Sequence, residues 1–355
     1  MREKTGVMLA ELTTLRVGGP AKRLVEAETE AEVLEVVRDC DTRNEPLLVL
    51  GGGSNVLATD EGFDGTVLRI STQGVDVDAS ASCEADDIAA CGGIVVTAAA
   101  GESWDALVER AVTEGWTGIE ALSGIPGAVG ATPMQNVGAY GQEVAQTVWS
   151  VRTYDRAQQR IRTFANADCL FQYRNSRFKG SDRYVILTVS YQLRQGSLGT
   201  PIGYRELAAA LGVELGGRAP LPDVRAAVLK LRRGKGMVLE AEDNDTWSAG
   251  SFFTNPVLDV ESAAQLPDAA PRWPQPDGRV KTSAAWLIER AGYPRGYPNA
   301  DAAASLSTKH TLALTNRGTA KAIDLLALAR EIRAGVHEKF GVELVNEPVL
   351  VGCTL

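Results

Sequence analysis

Three short segments place polar groups capable of chemistry in unusual settings: Tyr173-Arg174-Asn175-Ser176, Ala249-Gly250-Ser251-Phe252-Phe253-Thr254-Asn255-Pro256 and Asn346-Glu347-Pro348. An arginine offers a permanent charge with a fork of donors, a carboxylic side chain can hold or release a proton, and a hydroxyl can donate one. Ser251 is the sharpest of these, because a glycine on one side and two phenylalanines on the other would desolvate its hydroxyl. It is not set up as a hydrolase nucleophile, since no GxSxG elbow surrounds it and no histidine is near it in sequence. Each segment also has a plain structural reading, as a surface arginine, a turn hydroxyl or a strand-capping glutamate.

Two glycine-rich stretches are candidates for holding what those groups would act on. Ala121 to Gly141 (ALSGIPGAVGATPMQNVGAYG) combines Gly124, Gly127, Gly130, Gly138 and Gly141 with Pro126, Pro133, Gln135 and Asn136, and carries almost no charge. Backbone there can approach a flat or anionic ligand closely, although an ordinary buried turn would read the same way. Upstream, LLVLGGGSNVLA (Leu47 to Ala58) is an apolar run broken by Gly51, Gly52, Gly53, Ser54 and Asn55. With Val49, Leu50, Val56 and Leu57 expected to be buried on either side, it reads as a strand entering a phosphate nest rather than as a flexible linker. Neither stretch fits GxxxxGK[ST] or GxGxxG, so no P-loop or Rossmann site is indicated.

The chain has 355 residues, 45% hydrophobic and 23% charged, enough for a large core in two or three domains. Its formal net charge of -9 disfavours nonspecific binding to nucleic acid or acidic membranes. No apolar run approaches the ~20 residues of a membrane span, and MREKTGVMLAEL lacks a signal-peptide apolar core, so a cytoplasmic location is expected, with a monomer as the default. Cys40, Cys83, Cys91, Cys169 and Cys353 show no CxxC spacing and read as reduced and mostly structural; with only His310 and His337, no metal site is expected.

Helical and strand periods alternate in an α+β pattern. Thr29 and Glu32 form a capping box before Val33, Val36, Val37 and Cys40, and a second helix spans Ser103 to Glu114. Strands are expected at Thr66 to Ile70, Ile94 to Ala99, Val148 to Tyr154, Tyr184 to Leu193 and Glu343 to Val351. Further helices cover Asp223 to Arg233 and a stretch after Gly318 that Gly341 ends. Between them, GKGMVLEAEDNDTWSAG reads as an exposed acidic loop at a domain boundary, and Gln265 to Gly278 as an irregular surface stretch with four prolines.

Seven blocks in order, TTLRVGGPA (Thr13 to Ala21), LGGGSNVL, GIPGAVGATPMQNVGAYG, YRNSRFK (Tyr173 to Lys179), AGSFFTNP, AAWLIERAG (Ala284 to Gly292) and NEP, resemble the UDP-N-acetylenolpyruvoylglucosamine reductase (UDP-N-acetylmuramate dehydrogenase) family over nearly the whole chain. The resemblance implies an FAD-binding fold of the vanillyl-alcohol-oxidase type in two subdomains, residues 1–70 and 71–233. A smaller C-terminal α/β substrate domain, 234–341, and a terminal strand, 342–355, would follow. It further implies non-covalent FAD, NADPH as reductant and UDP-N-acetylglucosamine-enolpyruvate as substrate, in peptidoglycan precursor synthesis.

Carried over residue by residue, the resemblance makes Arg174, Ser251 and Glu347 the catalytic set, with Arg174 and Glu347 on the substrate carboxylate and Ser251 as proton donor. Tyr173, Lys235 and Asn255 match positions that contact substrate or nicotinamide dinucleotide, and Tyr204 the tyrosine that covers the UDP portion. Gly51, Gly52, Gly53, Ser54 and Asn55 would cradle the FAD pyrophosphate, with Ile125, Ala131, Gln135, Asn136, Val137, Ile186 and Arg232 elsewhere along the cofactor. Three stretches depart from the pattern: the segment 74–92, expected as a variable hairpin, the long acidic loop 237–248, and Arg290, where relatives often carry glutamine. Two other readings stay open here, a different flavin oxidase of the same fold and a sugar-nucleotide sensor that keeps the pocket without the chemistry.

Overall fold

The computed structural model describes residues 1–80, 93–299 and 301–355, so Cys83, Cys91 and most of the expected variable hairpin lie outside the described residues. The residues fall into two compact units, each assembled from separated segments: Met1–Gly6, Ala21–Gly52 and Asp64–Gly234 in the first, Val7–Pro20, Gly53–Phe63 and Lys235–Leu355 in the second. Residues 1–70, expected as one subdomain, are thus shared between the units, and 7–20 and 53–63 join the C-terminal part.

In the first unit the capping box forms as expected: the Thr29 hydroxyl accepts the Glu32 N–H, and the Glu32 carboxylate accepts the Thr29 N–H, opening the helix Glu30–Arg43. Its buried face, Val33, Val36, Val37 and Cys40, covers a sheet in the order Arg2–Lys4, Ala21–Ala27, Phe63–Ile70, Leu47–Leu50. Because Leu47–Leu50 is an edge strand, only Leu50 is fully buried, and Val49, expected inside, is 36% exposed. A second, antiparallel sheet runs Arg160–Ala165, Val148–Asp155, Tyr184–Gln195, Ile94–Ala99, Val75–Asp78. Both sheets and the helix Trp104–Thr113, capped by the Ser103 hydroxyl, feed one core around Trp104, Tyr191, Phe164 and Phe178. The helices Arg205–Leu211 and Leu221–Gly234 share a smaller cluster with Ala121.

The second unit is built around the helix Ala322–Phe340, whose Leu325, Leu326, Ala329, Ile332 and Val336 pack with Leu287, Ile288, Phe252 and Phe253. The Asp60 carboxylate accepts the N–H groups of Ala322 and Ile323, neutralising the helix start, and Gly341 ends the helix at a φ of 66°. The expected strand Glu343 to Val351 is shorter than its apolar pattern suggests. Only Val349–Val351 pairs regularly, in parallel with Val56–Ala58, because Pro348 has no N–H to offer the ladder. Gln265 to Gly278 is also more ordered than expected: Leu266 and Ala270 are buried and Arg272–Pro274 forms a strand. Among the described residues no helix is long and apolar enough to cross a membrane, and no cluster of His, Cys, Asp or Glu could hold a metal.

The acidic loop is exposed at 239–242, as its composition implies, but buried at Asp245 and Thr246. Asp245 is only 5% exposed, accepts the N–H and hydroxyl of Thr308, and pairs with Arg317 at 2.9 Å. Burial alone would raise its pKa, but the Thr308 bonds and Arg317 outweigh burial and hold the carboxyl below its ordinary 3.8. A carboxyl with a depressed folded pKa stabilises the fold above its unfolded value, and that contribution disappears as pH falls through the folded value. Asp245→Asn should therefore lower stability at neutral pH by on the order of 2 kcal/mol, a gap that closes below about pH 4. Urea midpoints of both proteins across pH 3–7 check this, and a gap independent of pH would contradict it.

Candidate active site

The two glycine-rich stretches meet within the first unit. A Cβ on Gly52 would sit 2.7 Å from the Cα of Gly127, and one on Gly51 would sit 3.2 Å from the Cβ of Ala128, so bare backbone faces bare backbone. From there the chain turns through Val129–Ala131, where Thr132 bonds the Tyr191 hydroxyl at 2.8 Å, and reaches Asn136 in a left-handed conformation at φ 47°. Asn136 is buried and its side chain is fully engaged: its amide donates to Glu143 Oε2 at 2.7 Å and to the Gln172 carbonyl at 3.1 Å, while its oxygen accepts the Ala145 N–H. Its amide group thus works as a brace inside the loop.

That brace supports Arg174. The guanidinium donates to the carbonyls of Asn136 at 3.4 Å and Gly138 at 2.7 Å, and lies 5.3 Å above the Tyr173 ring. Arg174 itself has φ 52°, a strained region for a side-chain-bearing residue, and Lys179 Nζ bonds its carbonyl at 3.0 Å. The two backbone carbonyls take part of the donor fork and set the direction of the guanidinium. Of the other positions singled out in this unit, Ile186 is buried in its strand, Ile125, Gln135 and Val137 are half-buried and Ala131 is exposed. Tyr204 is 44% exposed at the start of Arg205–Leu211, with its ring edge-on to Tyr140 at 5.4 Å. Arg232 is half-buried near the end of its helix, and burial lowers its pKa to about 10, so it remains charged at neutral pH.

Gly53, Ser54, Asn55, Ser251 and Glu347 all belong to the second unit, where hydrogen bonds tie them together. The Glu347 N–H donates to the carbonyl of Phe252, next to Ser251, at 2.8 Å, and the Glu347 carbonyl accepts from Asn55 Nδ2 at 3.3 Å. Phe253 and Asn346 bridge antiparallel, and the Val349 N–H returns to the Asn55 carbonyl at 2.9 Å. Three sequence-distant segments are thus pinned to one another through main chain. Ser251 is half-buried rather than wholly desolvated, with the flanking Phe252 and Phe253 rings turned into the core. Asn255 spends its oxygen on the Ala284 N–H at 3.0 Å, fixing the start of Ala284–Ala291. Lys235 follows directly on Leu221–Gly234 and is half-buried.

Residues 21–164 match the family description "FAD binding domain", and residues 241–351 match "UDP-N-acetylenolpyruvoylglucosamine reductase, C-terminal domain". Proteins named UDP-N-acetylenolpyruvoylglucosamine reductase from Cutibacterium acnes and Thermobifida fusca are 56% and 54% identical to the chain, covering 98% of it and 90% and 98% of their own lengths. The chain belongs to the UDP-N-acetylenolpyruvoylglucosamine reductase family. A crystal structure of UDP-N-acetylenolpyruvylglucosamine reductase from Thermus caldophilus superposes with a TM-score of 0.65 at 25% identity, covering 99% of both chains. Membership bears out the expected family, the α+β FAD-binding fold and the cofactor: the protein is an FAD-dependent oxidoreductase.

Sequence reasoning passed over the residues that do the bracing. Glu143 and Gln172 hold Asn136, and Lys179 holds the backbone of Arg174, yet only contacts across 5 to 36 residues reveal it. Gly53 is the most exacting position in the Gly51–Asn55 turn, with φ 61° and a space that the Leu12 carbonyl already fills. Gly53→Ala should weaken FAD uptake by apoprotein about tenfold or more while far-ultraviolet circular dichroism stays native. Flavin titration by fluorescence quenching reads this, and unchanged affinity would remove Gly53 from the cradle.

Proposed function

We propose that the protein reduces the enolpyruvyl group of UDP-N-acetylglucosamine-enolpyruvate to UDP-N-acetylmuramate with electrons from NADPH, as a cytoplasmic monomer serving peptidoglycan synthesis. The observation that carries this reading is the presence of Arg174, Ser251 and Glu347 at matching motifs in a chain 56% identical to a curated reductase over 98% of its length. A flavin fits the residues present, since Gly51, Gly52 and Gly53 carry no Cβ, which suits a turn whose main-chain N–H groups approach a pyrophosphate. Gly51 to Asn55 would hold the pyrophosphate, and Ile125, Ala131, Gln135, Val137, Ile186 and Arg232 the remainder, while Asn136, its side chain committed within the loop, would shape that loop from inside. Bound FAD supplies two-electron transfer between NADPH and the enol ether.

The chain's own residues supply charge, orientation and a proton. Reduction at the terminal methylene carbon builds negative charge on the neighbouring carbon and its carboxylate. Arg174, fixed by the carbonyls of Asn136 and Gly138, stabilises that charge, and Glu347 polarises the same carboxylate. Ser251 delivers a proton to the carbon, a neutral donor that does not compete with Arg174 for the carboxylate. Tyr173, Asn255, Lys235 and Tyr204 bind the substrate, with Lys235 suited to a pyrophosphate as a point charge. Residues 234–341 act as the substrate domain, and 342–355 carry Glu347.

An anaerobic titration tests donor and acceptor together: NADPH should bleach the flavin, and the enolpyruvyl nucleotide should restore its colour. In Ser251→Ala, bleaching should proceed normally, whereas restoration should slow by about 10²–10⁴-fold. Equal rates of restoration in the variant and the parent would refute the role of Ser251.

A further inference from the structure

We propose that Thr14 is a positioning residue that locks the turn carrying Ser251 to the pyrophosphate turn, so that its hydroxyl controls proton delivery without touching substrate. Thr14 lies in TTLRVGGPA, the first of the family-like blocks. It is 7% exposed and bonds at both ends. Its N–H donates to the Gly53 carbonyl at 3.1 Å, and its hydroxyl donates to the Ser248 carbonyl at 2.6 Å. The Ser54 carbonyl also lies near that hydroxyl, at 3.4 Å, but one proton serves one acceptor well, and the shorter bond is to Ser248.

Ser248 transmits this anchor toward Ser251. It is 5% exposed, and its side-chain oxygen accepts the N–H of Gly250, which sits at φ 72° immediately before Ser251. On the other side of Ser251, the Phe252 N–H donates to the Leu312 carbonyl at 2.7 Å and the Phe252 carbonyl accepts from Glu347. Ser251 therefore hangs between two fixed points, and only the upstream one depends on side-chain hydroxyls. Removing the Thr14 hydroxyl leaves a buried carbonyl without its donor and frees the turn to shift, and proton transfer tolerates little displacement. The Thr14 N–H survives any substitution except proline, so the hold on Gly53 remains.

This inference rests on the proposed reductase reading, and its test separates the two. The proteins to compare, loaded with FAD, are the parent, Thr14→Val, which keeps shape and loses the proton, Thr14→Ser, which keeps the proton, and Ser248→Ala, which releases Gly250. Stopped-flow absorbance follows flavin reduction by NADPH and reoxidation by the enolpyruvyl nucleotide separately. Reoxidation should slow about tenfold in Thr14→Val and in Ser248→Ala, with reduction by NADPH within about twofold of the parent, and Thr14→Ser should recover most of the loss. FAD affinity, measured on apoprotein by fluorescence quenching, should change less than about threefold in Thr14→Val. Parent-like reoxidation in Thr14→Val, equal slowing of both half-reactions, or a Thr14→Ser as defective as Thr14→Val would each overturn the inference while leaving the reductase reading intact. Should Thr14→Val fail to fold, Ser248→Ala and Thr14→Ser decide alone, parent-like reoxidation in Ser248→Ala being the overturning result. A parent enzyme whose flavin NADPH cannot reduce would bring down both.

Discussion

The backbone of Glu347 is held from both sides, its N–H by the Phe252 carbonyl and its carbonyl by the Asn55 side chain, and on these bonds the arrangement of the second unit's candidate site residues depends. Ser251 precedes one partner and Ser54 the other, so a carboxylic acid, a hydroxyl and a glycine-rich turn separated by nearly 300 positions become near neighbours. Such an arrangement stays rigid because the bonds are main-chain bonds or end on main chain, and because Phe252 and Phe253 are buried in the core behind them. Positions fixed by backbone are less free to drift than positions held by long side chains alone, which suits a site whose work is orientation.

The first unit solves a related problem with a different device. A long arginine side chain has several rotamers open to it, and here it is held in one direction. Carbonyls at Asn136 and Gly138 take part of the donor fork, and the strained φ of 52° at Arg174 is maintained by Lys179 on its carbonyl and by the braced loop beneath. Asn136 matters here for what it does to the loop, using every hydrogen-bonding group of its amide to keep two carbonyls pointing at the guanidinium.

Much of this was legible in sequence because the signals are local. The capping box at Thr29 and Glu32, the strand Ile94–Ala99 and the stop at Gly341 each depend on a few adjacent residues, and each appears within a residue or so of where the pattern puts it. The family was legible for another reason, since motif order identifies it even when no contact can be foreseen. What stayed hidden is non-local. Asp245 sits in a run of acids that reads as solvated, and its burial depends on Thr308 and Arg317, more than 60 residues further on. Val49 follows an apolar pattern correctly, but nothing within LLVL says that this strand lies at a sheet edge. Thr14 shows the same limit, since a threonine beside another threonine carries no mark of the carbonyl it meets 234 positions away.

The choice of serine as the proposed acid follows from the surroundings just described. A histidine or carboxylic acid would be the stronger donor at neutral pH, but each changes charge as it works: an imidazolium would compete for the substrate carboxylate with Arg174, and a carboxylate left after transfer would repel it. A hydroxyl enters neutral and, facing a carbon that has just become strongly basic, needs little intrinsic acidity. The burden then moves from pKa to placement, because a weak acid helps only if it lies where the lone pair forms. That demand is consistent with a turn whose residues before and after Ser251 are both tied down, through Ser248 on one side and Phe252 on the other, by bonds that carry no charge.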